Sequence, residues 1–224
     1  MRLSTDSVYG VLWDMDGVLV DTGPFHYPAW VETLGREGVP FSLEMFRQTF
    51  GMNNRGVLTH VLGRAPEPDF LARVGDDKEA SFRTAIHGLV RPLPGVVEWL
   101  TRLRQAGVKQ AVASSAPQAN IDALLDETGL RGYFDCLVSA YTIAGKPDPA
   151  VFLEAARQIS VPPERCVVVE DAVAGVEAAR RAGMACIAVT NTNPRERLAA
   201  ADLVVDSLLE LTEEAFGRLL DRSL

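Results

Sequence analysis

Short apolar runs alternate with helical patterns along most of the chain. The runs are rich in Val, Leu and Ile, which is typical of strands buried on both faces of a parallel sheet. The predicted strands are Val8–Trp13, Gln110–Ala113, Cys136–Val138, Cys166–Val169, Cys186–Val189 and Leu203–Val205. The helical patterns between them are Gly95–Ala106, Pro117–Thr128, Pro149–Ile159 and Ala172–Ala182. This alternation predicts an α/β fold with a doubly wound, Rossmann-like parallel sheet built from right-handed βαβ units.

One segment interrupts the alternation after the first strand. No strand-like run occurs from Gly23 to Leu89, where short amphipathic helical patterns are separated by Gly and Pro. These patterns are Pro28–Arg36, Ser42–Phe50, Asn54–Leu62 and Asp76–Leu89. We therefore predict a small all-helical cap, residues 23–90, inserted into an α/β core formed by residues 1–22 and 91–224.

Composition and charge disfavour several classes of function. The 224-residue chain carries 30 acidic against 22 basic residues, a net charge of −8, which disfavours nucleic acids and anionic membranes as partners. No apolar run approaches the roughly 18 residues of a transmembrane helix, and Met1–Ser7 lacks the apolar region of a signal peptide. The three cysteines have no C-x-x-C spacing, which is typical of buried thiols in a reducing compartment. We expect a soluble cytoplasmic protein, monomeric by default.

Polar and charged residues follow four of the predicted strands directly or in the next loop. They are Asp14 and Asp16, Ser114 and Ser115, Lys146, and Glu170 and Asp171. Singly, each has a simpler interpretation, because acidic turns are common and serine is a favoured helix N-cap. Ligands of an open α/β sheet, however, gather beyond the carboxyl ends of its strands. We therefore expect these side chains to meet in one crevice.

These residue types restrict the reactions that such a crevice can catalyse. Clustered carboxylates repel one another unless a hard cation lies among them, and oxygen ligands favour Mg²⁺. Lys146 and the hydroxyls of Ser114 and Ser115 are suited to hold a phosphate. An aspartate can attack phosphorus and form an acyl phosphate, while a second carboxyl two residues on transfers protons.

The same residues resemble the four motifs of the haloacid dehalogenase superfamily. The matching segments are 14–22, 114–115, 145–149 and 169–176, in that order, and the likeness spans residues 8 to about 190. The helical insert is similar to the cap of the branch that contains phosphatases and β-phosphoglucomutases. The resemblance implies that the small-molecule partner is a phosphorylated metabolite.

The resemblance also implies roles for the residues that meet the phosphoryl group. Asp14 would be the nucleophile, and Asp16 would be the general acid and base. Ser114, Ser115 and Lys146 would bind the transferring group. The presence of Asp16 argues against two-carbon dehalogenase chemistry, since those members lack this second aspartate.

A magnesium site is implied by the same motifs. Asp14 and Asp171 would be ligands, and Asp16 would contribute its backbone carbonyl. Glu170 would hold a metal-bound water or ligate nearby. The expected cofactor is Mg²⁺.

Three cap residues are candidates for substrate recognition: His26, Asn54 and Arg55. In the mutase branch a histidine twelve residues beyond the nucleophile faces the active site. The alternative is a hinge imidazole bonded to backbone, and the sequence leaves both open.

Departures from the mutase pattern favour hydrolysis. Segment 114–118 lacks the second serine and the lysine that mutases carry, and the arginine of segment 51–55 comes one position late. The sequence therefore predicts a Mg²⁺-dependent phosphatase acting on a small phosphomonoester through an aspartyl-phosphate. One alternative is a β-phosphoglucomutase-like sugar phosphomutase. Another is a catalytically silent phosphate-binding or regulatory module, which the intact aspartate pair disfavours.

Overall fold

A six-stranded parallel sheet forms the centre of the molecule in the computed structural model, which describes residues 8–220. The strand order is β3-β2-β1-β4-β5-β6. The strands are β1 Gly10–Trp13, β2 Lys109–Ser114, β3 Cys136–Ser139, β4 Cys166–Glu170, β5 Ala185–Val189 and β6 Leu203–Val205. Met1–Ser7, on which the signal-peptide prediction rests, lies outside the described residues.

The middle of the sheet is buried on both faces, as its apolar runs predict. Strand β1 pairs with β2, where Trp13 faces Val112, and with β4, where Trp13 faces Val169. Gly10, the first residue of β1, lies close to the side chain of Ile159, since a Cβ there would be 2.7 Å from Ile159 Cδ1. Parallel pairing brings the carboxyl ends of β1, β2 and β4 to one edge.

Helices cover both faces of the sheet. They are α5 Val96–Gln105, α6 Gln118–Thr128, α7 Ala150–Gln158, α8 Val173–Arg181 and α9 Glu213–Leu220. One apolar layer includes Trp99, Ile121 and Phe216 from α5, α6 and α9. The opposite layer includes Phe152 and Val176 from α7 and α8. The predicted doubly wound α/β core is confirmed.

Four helices between β1 and β2 form the cap: α1 Gly23–Arg36, α2 Leu43–Thr49, α3 Asn54–Leu62 and α4 Pro68–Ile86. They share a small apolar core that contains Trp30, Leu34 and Leu58. Ser42 and Asn53 cap α2 and α3 by accepting hydrogen bonds from backbone N–H groups. The expected all-helical insertion after the first strand is confirmed, while its boundaries at residues 22/23 and 90/91 stay a prediction.

Two cap helices begin earlier than the sequence pattern predicts. Helix α1 begins at Gly23 and contains Pro28 in its interior, whereas a proline is expected in the first helical turn. Helix α4 begins at Pro68 and contains Gly75, which the pattern predicts as a break. Tertiary packing stabilises both helices across these weak positions, and His26 consequently lies on the first turn of α1.

Helix α9 was not predicted, and it packs Phe216 against Trp99 with ring centroids 4.9 Å apart. Among residues 8–220, none of the helices combines the length and apolarity needed to cross a bilayer.

Candidate active site

The loop after β1 presents Asp14 and Asp16 at the carboxyl edge of the sheet. The Asp14 N–H donates to Val169 O at 3.0 Å, which ties this loop to the end of β4. Gly17 has a φ of 83°, and a Cβ there would overlap Asp171 Oδ2. Only glycine therefore lets the loop turn this close to Asp171.

Lys146 reaches this edge from the loop that follows β3. Its Nζ lies 2.5 Å from Asp14 Oδ1 and 2.6 Å from Glu170 Oε1, and its side chain is almost fully buried. Burial lowers the pKa of Lys146, but the two carboxylates outweigh burial and raise it overall. Burial raises the pKa of Asp14 to about 7, with repulsion from Glu170 and Asp16 adding to the effect and Lys146 opposing it.

Three carboxylates meet at a point suited to a hard cation. Oxygens of Asp14, Glu170 and Asp171 all lie within 4.8 Å of one another. Asp171 Oδ1 is buried without a hydrogen-bond partner among the described residues. Burial, together with repulsion from Glu170 and Asp14, raises the pKa of Asp171. An orphaned carboxylate oxygen in an all-oxygen cluster fits Mg²⁺.

Glu170 also accepts hydrogen bonds from the backbone that leads into α8. Its Oε2 accepts hydrogen bonds from the Asp171 and Ala172 N–H groups, both at 2.8 Å, ahead of α8. A Cβ at Gly175 would overlap the Glu170 carboxylate. Since Oε1 accepts from Lys146, the carboxylate connects the lysine to the N-terminus of α8.

Ser114 is the last residue of β2, and Ser115 follows it at the start of the turn that leads to α6. Ser114 is fully buried, and its Oγ accepts from the Ala116 N–H at 3.1 Å. Ser115 Oγ is buried and has no hydrogen-bond partner among the described residues. Ser115 lines the cavity that contains Asp14, so its hydroxyl is available to an incoming phosphate.

Asp16 is held by two donors at the N-terminal end of α1. Asp16 Oδ1 lies 2.5 Å from Thr22 Oγ1 and 3.2 Å from His26 Nε2. Burial raises the pKa of Asp16, but the hydrogen bonds and positive charges around it lower the pKa overall. The structure thus places His26 beside a predicted catalytic carboxylate.

The tautomer of His26 follows from its second neighbour. Lys78 Nζ lies 2.9 Å from His26 Nδ1, and an ammonium group can only donate. Nδ1 is therefore the acceptor, and the ring proton is on Nε2, where it is donated to Asp16. Burial and the Lys78 charge lower the pKa of His26, which favours this neutral form. The ring stacks on Phe82 with centroids 3.8 Å apart.

Several residues in the site were not predicted. Adjacent charged residues on a cap helix, such as Lys78 and Glu79, are typical of a solvent-exposed face, yet their relative exposures are 3% and 4%. Only the packing of α4 against the core reveals them. Thr192 and Asn193 follow β5 and bond the Asp171 carboxylate and carbonyl oxygen, respectively. The strand-end rule, applied to β5, identifies these two residues.

A cavity of about 50 Å³ lies between the cap and the core carboxylates. Its polar wall includes Asp14, Asp16, His26, Ser115, Asn54, Thr49, Lys78 and Glu79, and its apolar wall includes Trp30, Phe46 and Phe50. A larger groove of about 1000 Å³ adjoins it and contains Arg55, His60 and Lys146. Arg55 is exposed there, so of the three cap candidates His26 and Asn54 line the cavity and Arg55 lines the outer groove.

A family model described as haloacid dehalogenase-like hydrolase matches residues 9–183. The chain belongs to the haloacid dehalogenase-like hydrolase family. The matched range contains all four strand-end motifs of the site. The predictions of this family and of an enzyme are confirmed.

The proteins similar to this chain include phosphatases and a β-phosphoglucomutase. It is 36% identical over 187 residues to fructose-1-phosphate phosphatase YqaB of Escherichia coli, covering 80% of this chain and 95% of that protein. It is 30% identical over 218 residues to the chloroplastic 5-amino-6-(5-phospho-D-ribitylamino)uracil phosphatase of Arabidopsis thaliana, which covers 96% of this chain. The match spans 58% of that phosphatase, and another spans 18% of the Arabidopsis protein SUPPRESSOR OF QUENCHING 1.

The fold has a close counterpart among solved structures. β-Phosphoglucomutase from Clostridium difficile superposes with a TM-score of 0.85 at 26% identity, covering 96% of this chain and 98% of that one. The likeness includes the helical cap, because nearly the whole of both chains is aligned.

Proposed function

We propose that this hydrolase is a Mg²⁺-dependent phosphatase that cleaves a small phosphomonoester through an aspartyl-phosphate on Asp14. The observation that carries the proposal is that two aspartates of one loop have different surroundings. Asp14 faces Lys146 and the carboxylate cluster, whereas Asp16, two residues on, faces His26 and the cap. One aspartate is thus placed for attack and the other for proton transfer.

Residues of the core bind and orient the phosphoryl group. The Ser115 hydroxyl and the Lys146 ammonium supply donors around it, and Ser114 lies next to Ser115 at the end of β2. Asp14 and Asp171, with the Asp16 carbonyl, would hold Mg²⁺, which when bound neutralises charge on the phosphoryl oxygens and lowers the pKa of Asp14. An Asp14 carboxylate oxygen then forms a bond to phosphorus as the bond from phosphorus to the ester oxygen breaks.

Asp16 handles the protons of both half-reactions. Its pKa is lowered in the substrate-free enzyme, and a bound phosphate dianion raises it again because like charges disfavour ionisation. Asp16 gives its proton to the leaving oxygen in the first step. In the second step it accepts a proton from water, whose oxygen attacks phosphorus and displaces Asp14.

The cap supports a neutral, hydroxyl-rich leaving group. Lys78 is the cap ammonium in the cavity, and its Nζ is engaged by Glu79 and His26, both at 2.9 Å. Arg55 lines the outer groove. The cavity therefore has carboxylate, amide and hydroxyl groups for sugar hydroxyls, but a second phosphate would have to compete with Glu79 for Lys78. This arrangement favours hydrolysis of a monophosphate.

The likeness to β-phosphoglucomutase carries the second candidate function, a sugar phosphomutase. A silent binding module is the least supported alternative, because a binder has no use for the Asp14 and Asp16 pair. One experiment tests all three: phosphate release from a panel of sugar phosphates, nucleotides and phosphoglycolate, with Mg²⁺ and with EDTA. We expect Mg²⁺-dependent release from a sugar monophosphate. Absence of turnover over the whole panel overturns the proposal.

A further inference from the structure

Asn120 connects the core of the enzyme to the cap through both ends of its amide. It lies on the first turn of α6, the helix that follows Ser114 and Ser115, and is fully buried. Its Nδ2 donates to Glu79 Oε2 at 2.6 Å, and its Oδ1 accepts from Arg83 Nη1 at 2.8 Å. Glu79 and Arg83 both belong to cap helix α4, so their chemistry assigns the orientation of the amide.

The contact continues from Asn120 to the predicted acid and base. Glu79 Oε1 accepts from Lys78 Nζ at 2.9 Å. Lys78 Nζ contacts His26 Nδ1 at 2.9 Å, and His26 Nε2 contacts Asp16 Oδ1 at 3.2 Å. A continuous set of polar contacts therefore joins Asn120 on α6 to Asp16.

Packing alone does not require this polar connection. Helices α4 and α6 already share one apolar cluster, to which α4 contributes the buried Phe82 and Ile86 and α6 contributes the buried Ile121. Burying a carboxylate and an amide there costs desolvation energy, and apolar residues of similar volume often stabilise a protein equally well. What the polar pair adds is direction, because Glu79 accepts from Asn120 through Oε2 and from Lys78 through Oε1, so the two contacts fix the plane of its carboxylate.

We propose that Asn120 is a positioning residue: by holding Glu79 it orients Lys78 and His26 against Asp16. Asn120 touches no substrate in this role and acts through the cap residues. The proposal rests on the proposed function, since it is Asp16 that the network aligns.

The test exchanges donor and acceptor across the interface. Asn120→Asp keeps the size and the acceptor for Arg83, but it sets a carboxylate against Glu79. Adding Glu79→Gln restores a donor opposite an acceptor and returns the net charge of the wild type. The matched control is Gln118→Glu, the same change of amide to acid at an exposed position of α6.

Kinetics give the first readout. We expect Asn120→Asp to lower kcat at least about tenfold with KM changed by less than about threefold, since misplacing a catalytic group acts mainly on the chemical step. The exchanged double variant should recover at least about half of that loss on a logarithmic scale, and Gln118→Glu should match the wild type. If Asn120→Asp does not fold, Asn120→Ala takes its place. A folded variant with wild-type kcat, or a folded double variant with no recovery, overturns the proposal.

The second readout does not depend on turnover. Nitrogen-15 NMR of the three histidines at fixed pH, with His26 assigned from a His26→Gln spectrum, reports which ring nitrogen carries the proton. We expect a single Nε2–H tautomer of His26 in the wild type, its loss in Asn120→Asp and its return in the double variant. An unchanged His26 signal in Asn120→Asp overturns the positioning role. Absence of turnover in a wild type with the expected signal instead overturns the proposed function.

Discussion

The Lys146 ammonium lies 2.5 Å from the Asp14 carboxylate, although the two residues are 132 positions apart in the chain. The same nitrogen is 2.6 Å from Glu170, so one buried cation separates two buried carboxylates. Removal of Lys146 leaves those carboxylates facing each other without compensation. The ion pair is therefore coupled to the stability of the fold as well as to the site.

We expect Lys146→Met to destabilise the metal-free protein by about 3–5 kcal/mol, the usual cost of removing one partner of a buried ion pair. Urea unfolding in EDTA measures the difference. The matched control is Lys109→Met, because Lys109 and Asp135 form a pair at the surface, where such pairs contribute about 0–1 kcal/mol. Equal losses in the two variants would contradict the prediction.

Asp14→Asn should abolish turnover while the circular dichroism spectrum is retained. A neutral amide is a poor nucleophile and a poor ligand for Mg²⁺. Steady-state phosphate release measures the effect, and Asp69→Asn, at an exposed position of α4, controls for the substitution. Turnover within about tenfold of the wild type, which is only ~1.4 kcal/mol of barrier, would refute nucleophilic attack by Asp14.

Metal removal should silence the enzyme, and Mg²⁺ should restore it. Without a cation, Asp14, Asp171 and the substrate phosphate meet as like charges. Calcium should support little activity, because its looser and larger coordination shell misplaces the reacting groups. Activity is assayed after EDTA treatment and elemental analysis. Full activity in a protein shown to be metal-free rules out the proposed magnesium dependence.

The stability of the metal-free protein should fall as the pH rises, in part through Asp14. Its pKa is raised from 3.8 to about 7, so the folded state binds the proton more tightly than the unfolded state does. The stability from this proton is complete below about pH 4 and declines up to about pH 7.

In Asp14→Asn, residue 14 stays neutral at every pH, so this variant isolates the effect. The Tm of the variant minus the Tm of the wild type, both in EDTA, should be larger at pH 8 than at pH 5 by at least about 3 °C. That shift corresponds to roughly 1 kcal/mol for a chain of this size. Scanning calorimetry at both pH values provides the measurement. A Tm difference between the two proteins that does not change with pH would contradict the prediction.

A sugar monophosphate should be hydrolysed and not isomerised. A mutase has to hold a second phosphate and keep water from its acyl phosphate, whereas Lys78 here is engaged by Glu79 and His26. We expect steady release of inorganic phosphate and little conversion of β-glucose 1-phosphate to glucose 6-phosphate, even with bisphosphate primer. Phosphorus-31 NMR follows both products in one tube. Isomerisation much faster than hydrolysis would establish the mutase alternative.

The core of the site was predictable because its signals are local. Each strand is a short apolar run, and each predicted core residue follows a run directly or within one loop, as Asp14 and Asp171 do. Parallel pairing then brings the strand ends to one edge without further information. The fold class and family followed from the same residues.

The cap contribution was decided only by tertiary packing. Lys78 and Glu79 have the local pattern of a solvent-exposed helix face, and their burial exists only because α4 packs on the core beside Asn120. The orientation of His26 likewise depends on Lys78, which is 52 positions away. Local periodicity reports which face of a helix is apolar, but contacts between side chains so far apart in the chain arise only when the cap and core meet.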